Sequence, residues 1–318
     1  MTAVARALES EDMRRLGIRR TSRIGRAYNR RRFGSLLRSR IERLPADLAE
    51  LSEARGGVTA PRLEDGFAID DSRSLPHLDR VLEDMRAVAS ERGGRRWEDV
   101  RKIFLQNILA PEDHLRYPSL LDFVTSPLVL EPVARQCGFV PHLSRALPRG
   151  VRLMESSTTF DPTPDEWRLS QLWHIDYHAL PTIYVIVAVR DIGPEDGPLN
   201  FVGEAASRRV AEALDYGARG APYRVTDERF DPLVDPDDVH RFCAPAGTVL
   251  FIDSSRCFHF GSRRPRNARY HLQYAYVSPV RNDFGDLLRG DQGFPTGPDD
   301  PPHRRLALDR TYLPGSDD

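Results

Sequence analysis

The 318-residue sequence predicts an α+β chain with a mainly β core, helical through its first half and then built from short strands that close into a sandwich or barrel. Three observations carry that expectation. Leu78, Val81, Leu82, Met85 and Val88 recur at the three- and four-residue spacing of one helix face. After about residue 150 this spacing gives way to short apolar runs bounded by turns, of which IYVIVAV (183–189) is β-branched and reads as a buried strand. The strand pattern resumes at Gly247 with GTVLFID, then SRCFHF, then ARYHLQYAYV.

The other elements follow in order. Residues 1–60 form an Arg-rich extension, partly helical and solvated or partner-facing, with 13 arginines in the first 43 residues. Glu9, Glu11, Asp12 and Glu42 are interspersed, which argues against a transit peptide or a nucleic-acid arm. Residues 65–76 read as a polar loop, and Trp97, Val100, Ile103, Phe104 and Ile108 as a second helix. Ser126-Pro127 opens a further helix and Gly138 stops it, because a hydroxyl suits the cap, proline the first turn and glycine the exit. Residues 151–157 and 169–177 are candidate strands, followed by a turn at 193–198 and a short strand at 199–202. Residues 204–246 look like an insertion with a helix near 205–216, and the Pro/Asp-rich tail 282–318 reads as loop with one short helix. The main domain is thus expected over 61–281.

Composition narrows the function classes. Apolar residues make up 40% and charged residues 29%, as in soluble globular proteins, and the net charge of −1 provides no field for nucleic acid or an anionic membrane. The longest apolar run, 183–189, is far short of a membrane span. Cys137, Cys243 and Cys257 are odd in number and widely spaced, which fits a reducing cytoplasm better than a disulfide framework. A small-molecule substrate is therefore the expected partner.

The chemistry concentrates in QLWHIDYH (171–178). In a strand, residues two apart face the same side, so His174 and Asp176 would project together. An imidazole and a carboxylate on one face can reach a single ion, and one more histidine completes the 2-His-1-carboxylate set that leaves coordination positions open. His259, 85 residues downstream in a β-like segment, is the candidate. It lies two residues before the turn 261–267 and Arg269 lies two after, so a hairpin there would make them cross-strand neighbours. A guanidinium pointing into a barrel needs an anion, and a dicarboxylate that chelates metal at one end and meets arginine at the other supplies it. His271 and Gln273 alternate with Arg269 and should share its side, as substrate contacts or as a buried polar network. His178 has the parity of His174 and Asp176 and would line the pocket mouth unless the Pro181 turn ends the strand first. Cys257 and Trp173 read as core.

WHIDYHALP, DGPLNFVG and AGTVLFIDSSRCFHFGSRRPRNARYHLQYAYVSP, in that order and spacing, resemble the phytanoyl-CoA dioxygenase family of iron(II)/2-oxoglutarate-dependent oxygenases over roughly residues 120–279. The resemblance implies a double-stranded β-helix, or cupin-like jelly roll, with flanking N-terminal helices. It implies Fe(II) on His174, Asp176 and His259, and the distal carboxylate of 2-oxoglutarate on Arg269, with O2 as the other cosubstrate and succinate and CO2 released. The Pro-Gly-Ser-His turn common in that family is Val202-Gly203-Glu204-Ala205 here, so no contact carries over through it. Related halogenases have a small residue where Asp176 stands, so hydroxylation of an unactivated carbon is expected over halogenation, with desaturation, epoxidation and ring closure left open. The residues alone also fit a cupin-like metalloenzyme that does not use 2-oxoglutarate, or a non-catalytic barrel binding protein. An outward Arg269 would favour the first of these, and failure to bind metal the second.

Overall fold

The computed structural model describes residues 17–94, 104–143, 150–156, 158, 167–221, 223–284 and 293–315. Its helices are α1 (Ile18–Ala54), α2 (Leu78–Arg92), α3 (Asp113–Arg116), α4 (Ser119–Thr125), α5 (Pro127–Cys137), α6 (Glu204–Ala213), α7 (Asp227–Phe230) and α8 (Pro302–Leu308). Its strands are β1 (Phe67–Asp70), β2 (Leu105–Asn107), β3 (His142–Leu143), β4 (Val151–Ser156), β5 (Thr182–Ala188), β6 (Asn200–Val202), β7 (Val239–Arg241), β8 (Val249–Asp253), β9 (His259–Phe260) and β10 (Tyr270–Val277). A seven-stranded sheet runs β1-β8-β5-β10-β4-β2, with β3 also on β10, and faces a three-stranded sheet β7-β6-β9. Every pairing is antiparallel. This is the expected jelly-roll core with helices on one flank.

Strand alternation assigns the two faces of the large sheet. Val185, Val187, Val249, Phe251, Leu153, Leu272 and Tyr274 join the main apolar cluster with α2, α4, α5 and α8. Burying each such side chain stabilises the fold by roughly 1.5–3 kcal/mol relative to leaving it exposed. The intervening residues Tyr184, Ile186, Ala188, Leu250 and Ile252 face the small sheet and pack on Phe201, Phe242 and Cys257. Cys257 is therefore a core residue, and Trp173 stacks on Phe230 at 4.0 Å in a third cluster outside the small sheet.

α2 forms where its apolar spacing predicts, with Leu78, Val81, Leu82, Met85 and Val88 buried. α5 starts at Pro127 and is stopped by Gly138 in the left-handed region at φ 75°. The Ser126 hydroxyl, however, donates back to Phe123 O instead of capping. Four expectations change. The loop 65–76 contains β1, because Phe67 and Ala68 give a short strand one apolar residue for each face on the free edge of β8. The helix expected from Trp97 is not formed at its C-terminal end, where Leu105–Asn107 pairs with β4, so edge pairing overrides the helical spacing; Trp97, Val100 and Ile103 lie outside the described residues. Residues 169–177 are a 3-10 turn and isolated bridges, with Leu169 at φ 54°, and not a continuous strand. The segment 204–246 supplies β7, which pairs with β6 and so completes the small sheet.

The Arg-rich N-terminal segment does not stand apart. α1 runs 37 residues and places Leu51 in the main cluster, with Leu44 and Leu48 packed against it. A Cβ on Gly25 would lie 2.1 Å from Asn282 O, so only glycine allows this close approach. Asn29 then donates to Arg281 O and Asp283 O. The C-terminal segment is equally tied down, with Leu306, Ala307 and Leu308 of α8 fully buried. Among the described residues, no helix is long and apolar enough to cross a membrane, and the three cysteines are free.

Candidate metal centre

His174, Asp176 and His259 come together: one ligand atom from each lies within 4.8 Å of the others, and no other such cluster occurs among the described residues. The segment that carries the first two is irregular, yet its backbone is pinned on three sides. His174 and His259 exchange both backbone hydrogen bonds at 3.1 and 2.9 Å, Asp176 N–H donates to Ser254 O, and Trp173 forms a bridge with Val225. The two imidazole rings lie 4.3 Å apart, and Asp176 sends one oxygen toward each Nε2, at 3.9 Å for His174 and 3.7 Å for His259.

Both histidines have a defined tautomer. Nδ1 of His174 meets Leu172 O at 2.9 Å, and Nδ1 of His259 meets Cys257 O at 3.0 Å. A carbonyl only accepts, so the proton is on Nδ1 and the lone pair on Nε2, which is how outer partners orient metal-binding imidazoles. Burial acts to raise the pKa of Asp176. Its neighbours His259 and His178, a hydrogen bond from the Tyr184 hydroxyl, and Arg224 outweigh it and hold the carboxyl below its ordinary range. Two imidazole nitrogens and an ionised carboxylate on one side of an open site fit a hard-to-borderline divalent ion that keeps positions for other ligands.

Arg269 is buried just before β10, its backbone N–H held by Ser156 Oγ. Its Nη1 donates to Gly197 O at 2.6 Å and its Nη2 to Ser262 Oγ at 3.0 Å, while Nε is buried without a partner. Among the described residues no carboxylate forms an ion pair with it, and burial pushes its pKa down to about 10. The proposed hairpin is not how it gets there. β9 pairs with β6 and β10 pairs with β4 and β5, so the turn 261–267 crosses between sheets. The hairpin reading fails because β9 and β10, although consecutive, lie in opposite sheets.

His271 and Gln273 alternate with Leu272 and Tyr274, which face the helices, so they and Arg269 share the barrel side. Burial, then Arg269 and Arg152, hold the pKa of His271 well below its ordinary value, so it is neutral at pH 7; its Nδ1 has no partner. His178 lies outside the three-residue cluster. Its Nδ1 pairs with Asp283 at 2.7 Å and its ring stacks on Tyr177. Sequence reasoning missed Arg152, Tyr184 and Arg224. The first two carry polar atoms at inward-facing strand positions, Arg152 between Val151 and Leu153 and Tyr184 between Ile183 and Val185, and so left a signal, whereas Arg224 lies in an irregular segment and left none.

No protein-family model matches the chain, and no curated protein matches it. Solved structures do. The non-heme alpha ketoglutarate dependent epimerase SnoN from nogalamycin biosynthesis is 13% identical over 74% of this chain and 84% of its own, with a TM-score of 0.41. The carbocyclase SnoK of the same biosynthesis is 16% identical over 67% and 79%, with a TM-score of 0.43. HygX from Streptomyces hygroscopicus, solved with nickel and 2-oxoglutarate bound, is 13% identical over 67% and 82%, with a TM-score of 0.40.

Proposed function

We propose that this protein is an iron(II)- and 2-oxoglutarate-dependent oxygenase that hydroxylates an unactivated carbon of a small molecule. The observation that carries the proposal is the pairing of a His-Asp-His cluster with a buried arginine that, among the described residues, has no acid of its own. His174, Asp176 and His259 would hold the ion. Arg269 would bind the distal carboxylate of 2-oxoglutarate, and its two present acceptors, Gly197 O and Ser262 Oγ, keep the guanidinium in one orientation for it. Bound iron, with 2-oxoglutarate and dioxygen, would supply the oxidant that removes hydrogen from a substrate carbon, with succinate and carbon dioxide released.

The other residues act on orientation and access. Leu172 O and Cys257 O keep the lone pair of each histidine on Nε2. Neutral His271 and Gln273 can exchange hydrogen bonds with the cosubstrate without adding charge. Ile186, Leu250 and Ile252 form an apolar wall on the β5–β8 side and keep water from that half of the barrel. Keeping competing water out is as much the protein's task as placing the carbon.

The test is direct. Iron-loaded protein should develop a visible charge-transfer band on adding 2-oxoglutarate, and should form succinate when supplied with its substrate. His174→Ala and Asp176→Ala should each abolish turnover, with a loss on the order of a thousandfold or more, because an incomplete ligand set no longer retains the ion. Wild-type protein that binds iron but no 2-oxoglutarate would sink the proposal.

A further inference from the structure

Arg152 and Arg224 remain unexplained by the roles assigned above. Arg152 lies on β4, where Val151 and Leu153 face the helices, so its side chain points to the barrel interior. It lies opposite Gln273 of β10, and its charge acts on both His271 and Tyr184. Tyr184 in turn lies beside Asp176. Arg224 approaches from the other layer. Trp173 and Val225 form a backbone bridge and both pack outward in the third cluster, so their neighbours His174 and Arg224 turn together toward the barrel. Arg224 acts on Asp176 and its guanidinium lies 4.5 Å over the Tyr223 ring.

Neither arginine has an acid partner among the described residues. Nε of Arg152 and Nη1 of Arg224 are buried without a hydrogen-bond partner. Buried donors left unmade are costly, and the nearby charged groups do not cancel them. A divalent ion, Asp176 and Arg269 together balance dianionic 2-oxoglutarate, which leaves two guanidiniums over.

From these two inward-facing guanidiniums with unmade donors we propose that Arg152 and Arg224 form an oxyanion subsite, and that the substrate carries a carboxylate or phosphate held by them on the barrel side of the metal position. The inference rests on the oxygenase reading for what happens to that substrate, but the subsite stands on its own residues. The rings of Tyr177 and Tyr223, 5.3 Å apart and edge to face, with His178 stacked on Tyr177, flank it and suit a flat or apolar body behind the anion. A guanidinium binds either oxyanion through two parallel hydrogen bonds, which fixes the reacting carbon as well as the affinity.

The experiment is calorimetric titration of the full-length, nickel-loaded protein with phenyl phosphate, benzoate and benzyl alcohol, followed by 2-oxoglutarate. Wild type should bind one of the anions at least about tenfold more tightly than the alcohol. Arg152→Gln and Arg224→Gln should each erase about tenfold of that preference while leaving 2-oxoglutarate affinity within about twofold. Arg152→Lys, which keeps the charge but not the paired donors, should fall between. Equal binding of anion and alcohol by wild type overturns the subsite without need of any variant. So does a loss of 2-oxoglutarate affinity in Arg152→Gln that matches the loss of the probe, since Arg152 would then serve the cosubstrate. If nickel-loaded wild type binds the anions but no 2-oxoglutarate, the oxygenase reading fails and the subsite survives.

Discussion

Arg40 and Arg269 are both buried arginines, and burial pushes both down to about 10, yet the two regions treat the charge differently. Arg40, in the middle of α1, donates to five carbonyls: Val140, Leu306, Asp309, Arg310 and Tyr312. Four of them belong to α8 and the chain just after it, where a helix end leaves acceptors unsatisfied. That guanidinium gathers α1, the exit of α5 and the C-terminal segment onto one point. Arg269 meets two acceptors, and among the described residues no acid pairs with it. Both leave Nε without a partner, so what separates them is how many acceptors the fold provides for the rest of the guanidinium.

The largest effect expected from this contrast is on stability. Arg40→Met removes one cation and strands five carbonyls, so it should cost on the order of 3 kcal/mol or more in denaturant unfolding. Succinate formation per folded molecule should be unchanged. A stable Arg40→Met protein would mean that the carbonyls find water, and the contrast would lose its structural half.

Arg269→Met should behave in the opposite way. It removes an under-satisfied charge and strands only Gly197 O and Ser262 Oγ, so stability should move by less than about 1 kcal/mol. The affinity for 2-oxoglutarate, read by the visible band of the iron complex, should fall about a hundredfold, which corresponds to roughly 2.7 kcal/mol for a lost bidentate pair. If Arg269→Met instead unfolds like Arg40→Met and binds 2-oxoglutarate normally, the two arginines are of one kind.

The same contrast explains what could be read from sequence. Fold class was legible because IYVIVAV and GTVLFID are runs that only a doubly buried strand accommodates, and the three metal-site candidates were legible because HxD and a distal histidine keep their order whatever the local backbone does. Strand parity reached the pair that the structure brings together by an incomplete route, since His174 and Asp176 are aligned by bridges to Ser254, Val225 and His259 and not by a strand of their own. The hairpin between His259 and Arg269 was wrong because local turn chemistry says nothing about which sheet a strand enters. β1 and β7 were missed because three or four residues at a sheet edge carry too little pattern. Arg40 could not be told from the dozen arginines around it, because its identity lies in carbonyls about 100 to 272 residues away.

A third buried arginine sharpens the comparison with the smallest expected effect. Arg281, fully buried, is neutralised by a carboxylate: its Nε and Nη2 donate to the two oxygens of Asp283, which also accepts from His178 Nδ1. Burial alone would raise the pKa of Asp283, but Arg281 and His178 overcome it and hold the group far below its ordinary 3.8. A carboxyl depressed in the folded state stabilises the protein above its unfolded pKa and loses that contribution as pH falls toward the folded value. Asp283→Asn should therefore be less stable than wild type at pH 7, with the gap narrowing progressively below about pH 4. Unfolding midpoints of both proteins across that range read it out. Arg281 then differs from Arg40, whose carbonyl partners do not titrate, and a gap that stays constant with pH would show that Asp283 acts by shape alone. Asp283 also holds His178 beside the metal cluster, and its backbone carbonyl accepts from Asn29, so the same residue ties α1 to the site through the 281–283 turn.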